Sequence, residues 1–130
     1  MDPSFQIDVD EENGILRIRG WGVWNVALAE SYREAMFRAF TRLRSRRWSV
    51  LSNRTGSYVQ SEAVAEIVRD VMERASEAGR VRSALIVDSA TALLQWRRIH
   101  PGNEAVQKAF PDEATALAWL KSEAKKDVSA

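Results

Sequence analysis

Cysteine is absent from these 130 residues. That excludes a disulfide framework and every form of thiolate chemistry. Histidine occurs once, at His100, and neither a metal-ligand cluster nor a nucleophile–base pair can be assembled around it from the sequence. The residue reads as a polar turn position in "IHPGN". Only 3 prolines and 6 glycines are present, so no Pro/Gly-rich linker or low-complexity segment divides the chain. No apolar run approaches the ~20 residues of a membrane-spanning helix. The opening "MDPSFQIDVD" lacks the basic start and apolar stretch of a secretory signal, so a cytoplasmic protein is expected. Charge of one sign is missing too. Lysine plus arginine number 19 against 18 acidic residues, a balance that gives no reason to expect nucleic acid as a partner.

What is present suits one globular domain spanning residues 1–130, with a polar tail over 122–130. "FQIDV" and "ILRIRGW" each alternate apolar and polar residues across the turn-rich "DEENG". They predict a hairpin, with Asn13 and Gly14 supplying positive φ in a tight turn. Leu28, Tyr32, Ala35, Met36, Ala39, Phe40 and Leu43 fall at helical spacing and predict a helix from Val26 to about Arg46. "WSVLSN" predicts a short strand. Val64, Ile67, Val68, Val71, Met72 and Ala75 then predict a helix over Ser61 to Ala78, ended by Gly79. "RSALIVD" is apolar on both faces and reads as a central strand. A helix over Thr91 to Ile99, a strand in "EAVQKAF" and a closing helix in "PDEATALAWLKSEA" complete the order ββαβαβαβα. Alternation of this kind predicts an α/β fold: a mostly parallel five-stranded sheet, an antiparallel N-terminal strand and about four helices.

Chemistry-bearing motifs are few. "GRVRSALIVDSAT" has no phosphate-cradling glycine pattern, and "RGWGVWN" falls short of a dinucleotide fingerprint, with Asn25 where the third glycine would stand. No cofactor, metal or catalytic residue is expected, and the chain does not read as an enzyme. A hydrolase built on Ser61 or Ser89 is the weakest alternative, since no nucleophile motif surrounds either residue. Ser61 directly precedes an acidic amphipathic helix, where a serine side chain accepts from the orphan N–H groups and Glu62 meets the positive helix end.

Two features invite a binding role. Six arginines (33, 38, 42, 44, 46 and 47) stand against Glu34 alone between Arg33 and Arg47. They read either as a solvated helix face or as a basic contact patch. Phe37 falls about 140° from the apolar stripe at 100° per residue, so it is expected to be exposed with Arg38 and Arg42. The five tryptophans are the second feature. Topology carries Trp21 and Trp24, with Tyr58, Ser61 and Ser89, toward the carboxyl edge of the strands, where open α/β sheets hold ligands. These five residues are the ligand-binding candidates; packing of both indoles over the first helix is the other reading.

The same order, with its local sequence, resembles the STAS domains, specifically the SpoIIAA-like group of anti-sigma-factor antagonists and relatives. The likeness spans about Phe5 to Leu120 and rests on "FQIDVDEENGILRIRG", "SVLSNRTGSYVQSEAVAEIV" and "VQKAFPDEATALAWL". In the antagonists, an Asp-Ser-Ser-Gly run before the second long helix carries a serine that a partner kinase phosphorylates. Laid on that run, this chain reads Gln60-Ser61-Glu62-Ala63, with Glu62 at the phosphorylated position. The resemblance therefore implies a non-enzymatic regulatory domain that binds a protein, an anti-sigma-type kinase or another regulator, without the usual phosphoserine switch. Phe37, Arg38, Arg42, Ser61 and Glu62 are its partner-contact candidates, and a homodimer is compatible with it. Some SpoIIAA-like proteins also resemble the lipid-binding Sec14 domains. A carrier of a lipid or small apolar molecule is the alternative function.

Overall fold

The computed structural model describes residues 2–44, 46–56, 60–99 and 106–129. Within them the elements run β1 (Ser4–Asp10), β2 (Ile15–Trp21), α1 (Val26–Leu43), β3 (Trp48–Asn53), α2 (Glu62–Glu77), β4 (Arg80–Ile86), α3 (Ala90–Ile99), β5 (Gln107–Phe110) and α4 (Glu113–Ser129). The five strands lie side by side in chain order, β1 antiparallel to β2 and every later pair parallel. The α/β class and the order expected from the sequence are those of the molecule.

Alternation along the central strands explains the layers, because successive side chains point to opposite faces. Leu16, Ile18, Val50 and Leu85 join Tyr32, Met36, Leu43, Val64, Val68 and Val71 of α1 and α2 in the larger core. Ile15, Leu51, Ala84 and Ile86 point the other way, onto Ala116 and Leu120 of α4. Burial on both faces is why the end of β4 reads as an unbroken apolar run.

The hairpin differs from its expected form. Asp10 pairs with Ile15, leaving a four-residue loop, and positive φ occurs at Gly14 (65°) but at no described non-glycine residue. Asn13 instead folds back on Asp10, its backbone N–H donating to Oδ1 (3.1 Å) and its Nδ2 to Oδ2 (2.8 Å). A side chain that supplies its own turn bonds does not need left-handed backbone. Those bonds hold the Asp10 carboxyl below its ordinary pKa.

Other boundaries move slightly. Helix α1 stops at Leu43 because Arg44 caps it and the Arg46 N–H bonds the Leu43 carbonyl. Strand β4 begins at Arg80 and ends at Ile86, two residues earlier than "RSALIVD" suggests, with a register shift at Trp48/Ser49 of its neighbour. Gly79 does end α2, at φ 110°. Residues 122–129, expected as a polar tail, continue the α4 backbone. Tyr58, His100 and the start of "EAVQKAF" lie outside the described residues.

Phe37 is half-buried rather than exposed. It packs on the larger core with its ring centroid 5.9 Å from that of Phe40. The stripe facing the sheet accounts for only one side of α1. Helix α2 lies against its flank, through contacts such as the Arg33–Asp70 ion pair (3.5 Å), and Phe37 sits in the groove between the two helices.

Candidate functional site

The carboxyl edge of the sheet is organised around a residue absent from the sequence candidates. Arg54 follows β3 directly, its N–H continuing the ladder to the Ile86 carbonyl (2.8 Å), and only 5% of it is exposed. Its guanidinium carbon lies 4.6 Å from the ring centroid of Trp96, 5.3 Å from Trp24 and 5.6 Å from Tyr32. Nε donates to Ser52 Oγ at 3.0 Å, and Nη2 makes a long contact with the Tyr32 hydroxyl at 3.4 Å. No carboxylate among the described residues pairs with this cation. Aromatic faces and hydroxyls replace the counter-ion, each π face attracting the charge more strongly where water is excluded. Desolvation pulls the Arg54 pKa below its ordinary value and pushes that of Tyr32 above its own, the contact between them opposing both shifts.

Glycine is what lets the guanidinium sit there. A Cβ built on Gly20 would meet Arg54 Nη1 at 2.6 Å and Trp24 Cζ2 at 3.0 Å. The β2 backbone is thus one wall of the cage.

Gln60 binds three neighbouring elements together. Its Oε1 accepts from the Trp24 N–H (2.7 Å), its Nε2 donates to the Gly22 carbonyl (2.9 Å), and its own N–H donates to Gln95 Oε1 (2.9 Å). The residue in the aspartate's place therefore locks the β2–α1 loop and α3 to the start of α2. Ser61 caps α2, its Oγ accepting from the Val64 N–H at 3.2 Å, and Ser89 accepts likewise from Ala92 at 3.1 Å. Both serines are exposed. Glu62, also exposed, meets Arg69 at 3.5 Å.

The ligand candidates separate. Trp24 is 4% exposed and points inward at Tyr32 (5.0 Å between centroids), its Nε1 donating to the Trp21 carbonyl at 3.1 Å. Trp21 is half-buried; its Nε1 donates to the Asp2 carbonyl at 2.8 Å, and Arg19 lies 5.8 Å from its ring centroid. The strand order has no reversal, so the crevice that a topological switch point opens does not arise here. Exposed apolar groups do gather at this edge: Val23 and Val26 beside Trp24, and Leu94 beside Gln95.

The arginines of α1 separate as well. Arg42 pairs with Glu11 at 2.9 Å, and the Arg46 guanidinium donates to the Glu11 carbonyl, so both fasten the hairpin loop. Arg38 and Arg44 are exposed and pair with no described carboxylate. Arg44 borders a groove of about 400 Å³ between α1 and α2, lined also by Phe37, Phe40, Thr41, Arg74, Glu77 and Ala78. Sequence periodicity signals the two helices but not this groove, because the spacing within one helix says nothing of how a second lies beside it.

Among the described residues no group of three or more His, Asp or Glu could hold a metal ion, and no helix is long and apolar enough to cross a membrane. No protein-family model and no curated protein sequence matches this chain. A solved structure does: an uncharacterized protein of the DUF3478 family with a SpoIIAA-like fold, from Shewanella loihica PV-4. The two are 18% identical and superpose with a TM-score of 0.70 over 92% of this chain and 96% of that one. With one antiparallel edge pairing, three parallel pairings and matching extent, the chain has a SpoIIAA-like α/β fold.

Proposed function

We propose that this domain is a non-enzymatic regulator that binds a protein partner through the α1–α2 groove, taking an acidic segment that carries an apolar side chain. The groove itself carries the reading. Phe37, Phe40 and Ala78 give it apolar walls, while Arg44 and Arg74 outnumber Glu77 at its rim. Apolar anchors with arginine at the edge are the usual chemistry of protein contacts. Arg38, exposed on the same helix, extends the positive field. At the start of α2, the opposite end from the groove, the Ser61 cap and the Gln60 clamp support a structural reading of this segment, without a phosphoserine switch. The test is selection of displayed peptides on the wild-type domain, with Arg44→Glu and Phe37→Ala as comparisons. Acidic peptides with one apolar anchor should emerge, bind more weakly as salt rises, and lose affinity about tenfold or more with either variant. Peptides that bind the variants equally well would reject the groove.

A second reading, carriage of a lipid or small apolar molecule, is supported by the exposed Val23, Val26 and Leu94 at the edge holding Trp21, Trp24, Ser61 and Ser89. Titration with fatty acids should then change tryptophan emission saturably, and Leu94→Glu should weaken the effect. Flat titrations would remove this reading and leave the first untouched.

A further inference from the structure

We infer that the outer edge of β1 is the contact surface for a second copy of this chain, the two β1 strands pairing antiparallel, centred on Ile7, to join the sheets. This rests neither on the α1–α2 groove nor on the carboxyl end of the sheet. Strand β1 ends the sheet, and no described strand pairs with its outer side. A strand in that place presents a row of unpaired N–H and C=O groups, which natural edges blunt with shortness, lysine, proline or a bulge. The seven residues of β1, SFQIDVD, carry none of these, and their register to β2 runs from Ser4–Trp21 to Asp10–Ile15 without a break. Its only charges are Asp8 and Asp10. The far edge strand, β5, has just four residues.

The order of the side chains says what this edge fits. Centred on Ile7, Ser4 stands opposite the second copy's Asp10, Phe5 opposite its Val9, and Gln6 opposite its Asp8. Hydroxyl and amide donors thus face carboxylates, and apolar groups face apolar groups. Registers that keep the apolar faces together differ by two residues. One neighbouring register sets Asp8 against its own copy, and the other sets Asp10 against Asp2. Both bring like charges together, so the strand complements itself in one register only. Phe5, Ile7 and Val9 pack on the larger core but stay half-buried, and a second β1 would cover their open sides. On the polar face Arg17 stands beside Asp8 in β2, offsetting the two Asp8 carboxylates that come diagonal across the axis. Helix α1 leaves room. The Phe5 ring lies 5.4 Å from that of Tyr32, and Arg42 reaches Glu11 at 2.9 Å, so helix and strand run alongside in the same direction. Ile7 therefore falls level with the turn holding Ala35, whose methyl group lies on the Arg42 flank, two turns back.

The experiment is sedimentation of the full chain from micromolar concentration to about 1 mM, where a monomer–dimer equilibrium is expected. Gln6→Asp sets carboxylates opposite one another at two places in the dimer and should raise its dissociation constant about tenfold. The exchange Gln6→Asp with Asp8→Gln recreates the pairing and should restore the wild-type value. Both positions are exposed, so these variants keep the fold, which circular dichroism checks. Because the chain has no cysteine, cross-linking reads the register. Gln6→Cys mixed with Asp8→Cys should oxidise to a linked pair faster than either variant alone, since directly opposite Cα atoms are about 4.5–5.5 Å apart, within disulfide reach. A chain that stays monomeric over the whole range would overturn the proposal. So would a dimer that Gln6→Asp leaves unchanged, or a mixture that cross-links no faster than its components, the pattern expected of pairing through the groove.

Discussion

The guanidinium carbon of Arg54 lies 4.6 Å from the ring centroid of Trp96, and this contact joins the end of β3 to the ten-residue helix α3. A helix that short has little stability of its own. Its attachment relies on Trp96, which is 8% exposed, and on the Gln95–Gln60 hydrogen bond.

Arg54→Lys is expected to cost about 2 kcal/mol, because lysine keeps the charge but loses the planar stack and the directed bond to Ser52. Urea unfolding reads this directly. A variant as stable as the wild type would mean that the aromatic cage contributes nothing beyond filling space.

Gly20→Ala tests the same cage from its backbone wall. The added methyl would press on Arg54 Nη1 and the Trp24 ring. Overpacking of this kind is expected to destabilise by about 1–3 kcal/mol, with a changed tryptophan emission spectrum. An unaltered spectrum and midpoint would show that the neighbours relax without cost.

Ser61→Ala should lower stability by about 1 kcal/mol, while Ser61→Asp should be nearly neutral, since aspartate caps as well as serine. The bond from the Val64 N–H motivates both. If the alanine variant melted normally but lost partner binding, a regulatory role for the hydroxyl would replace the structural one.

Acid sensitivity should come from two carboxyls held below their ordinary pKa of 3.8. Asp10 is lowered chiefly by the Asn13 side chain, and Asp112 chiefly by the Thr115 N–H at the start of α4. A folded-state pKa below the unfolded value means the native state favours the ionised form. The contribution is therefore full above the unfolded pKa and lost as pH falls through the folded one. Melting curves from neutral pH down to about 2.5 should fall in that acid window, and Asp10→Asn with Asp112→Asn should flatten the fall. A wild-type midpoint that holds steady there would contradict the assignment.

The chain's local pattern was enough for the class, the element order and most boundaries. Helical stripes such as Tyr32–Met36–Phe40 and the two-sided apolar run in β4 depend on residues a few positions apart, and one face of burial forces that spacing on them. The Ser61 cap and the Gly79 helix end were legible for the same reason: each is a local backbone requirement written in one residue. Arg54 was not. Nothing in "SNRTG" separates a caged cation from a solvated one, because its partners Tyr32, Trp24 and Trp96 stand 22, 30 and 42 positions away by residue number. Gln60 looked like a lost aspartate, and its clamp exists only once Gly22 and Gln95 are brought to it. Phe37 read as exposed because a helical wheel knows one neighbour, the sheet, and α2 supplies another. Sequence determined which segments bury a face; tertiary packing decided what each face meets, since contacts between distant residues are fixed by how the layers close, not by the spacing within any one of them.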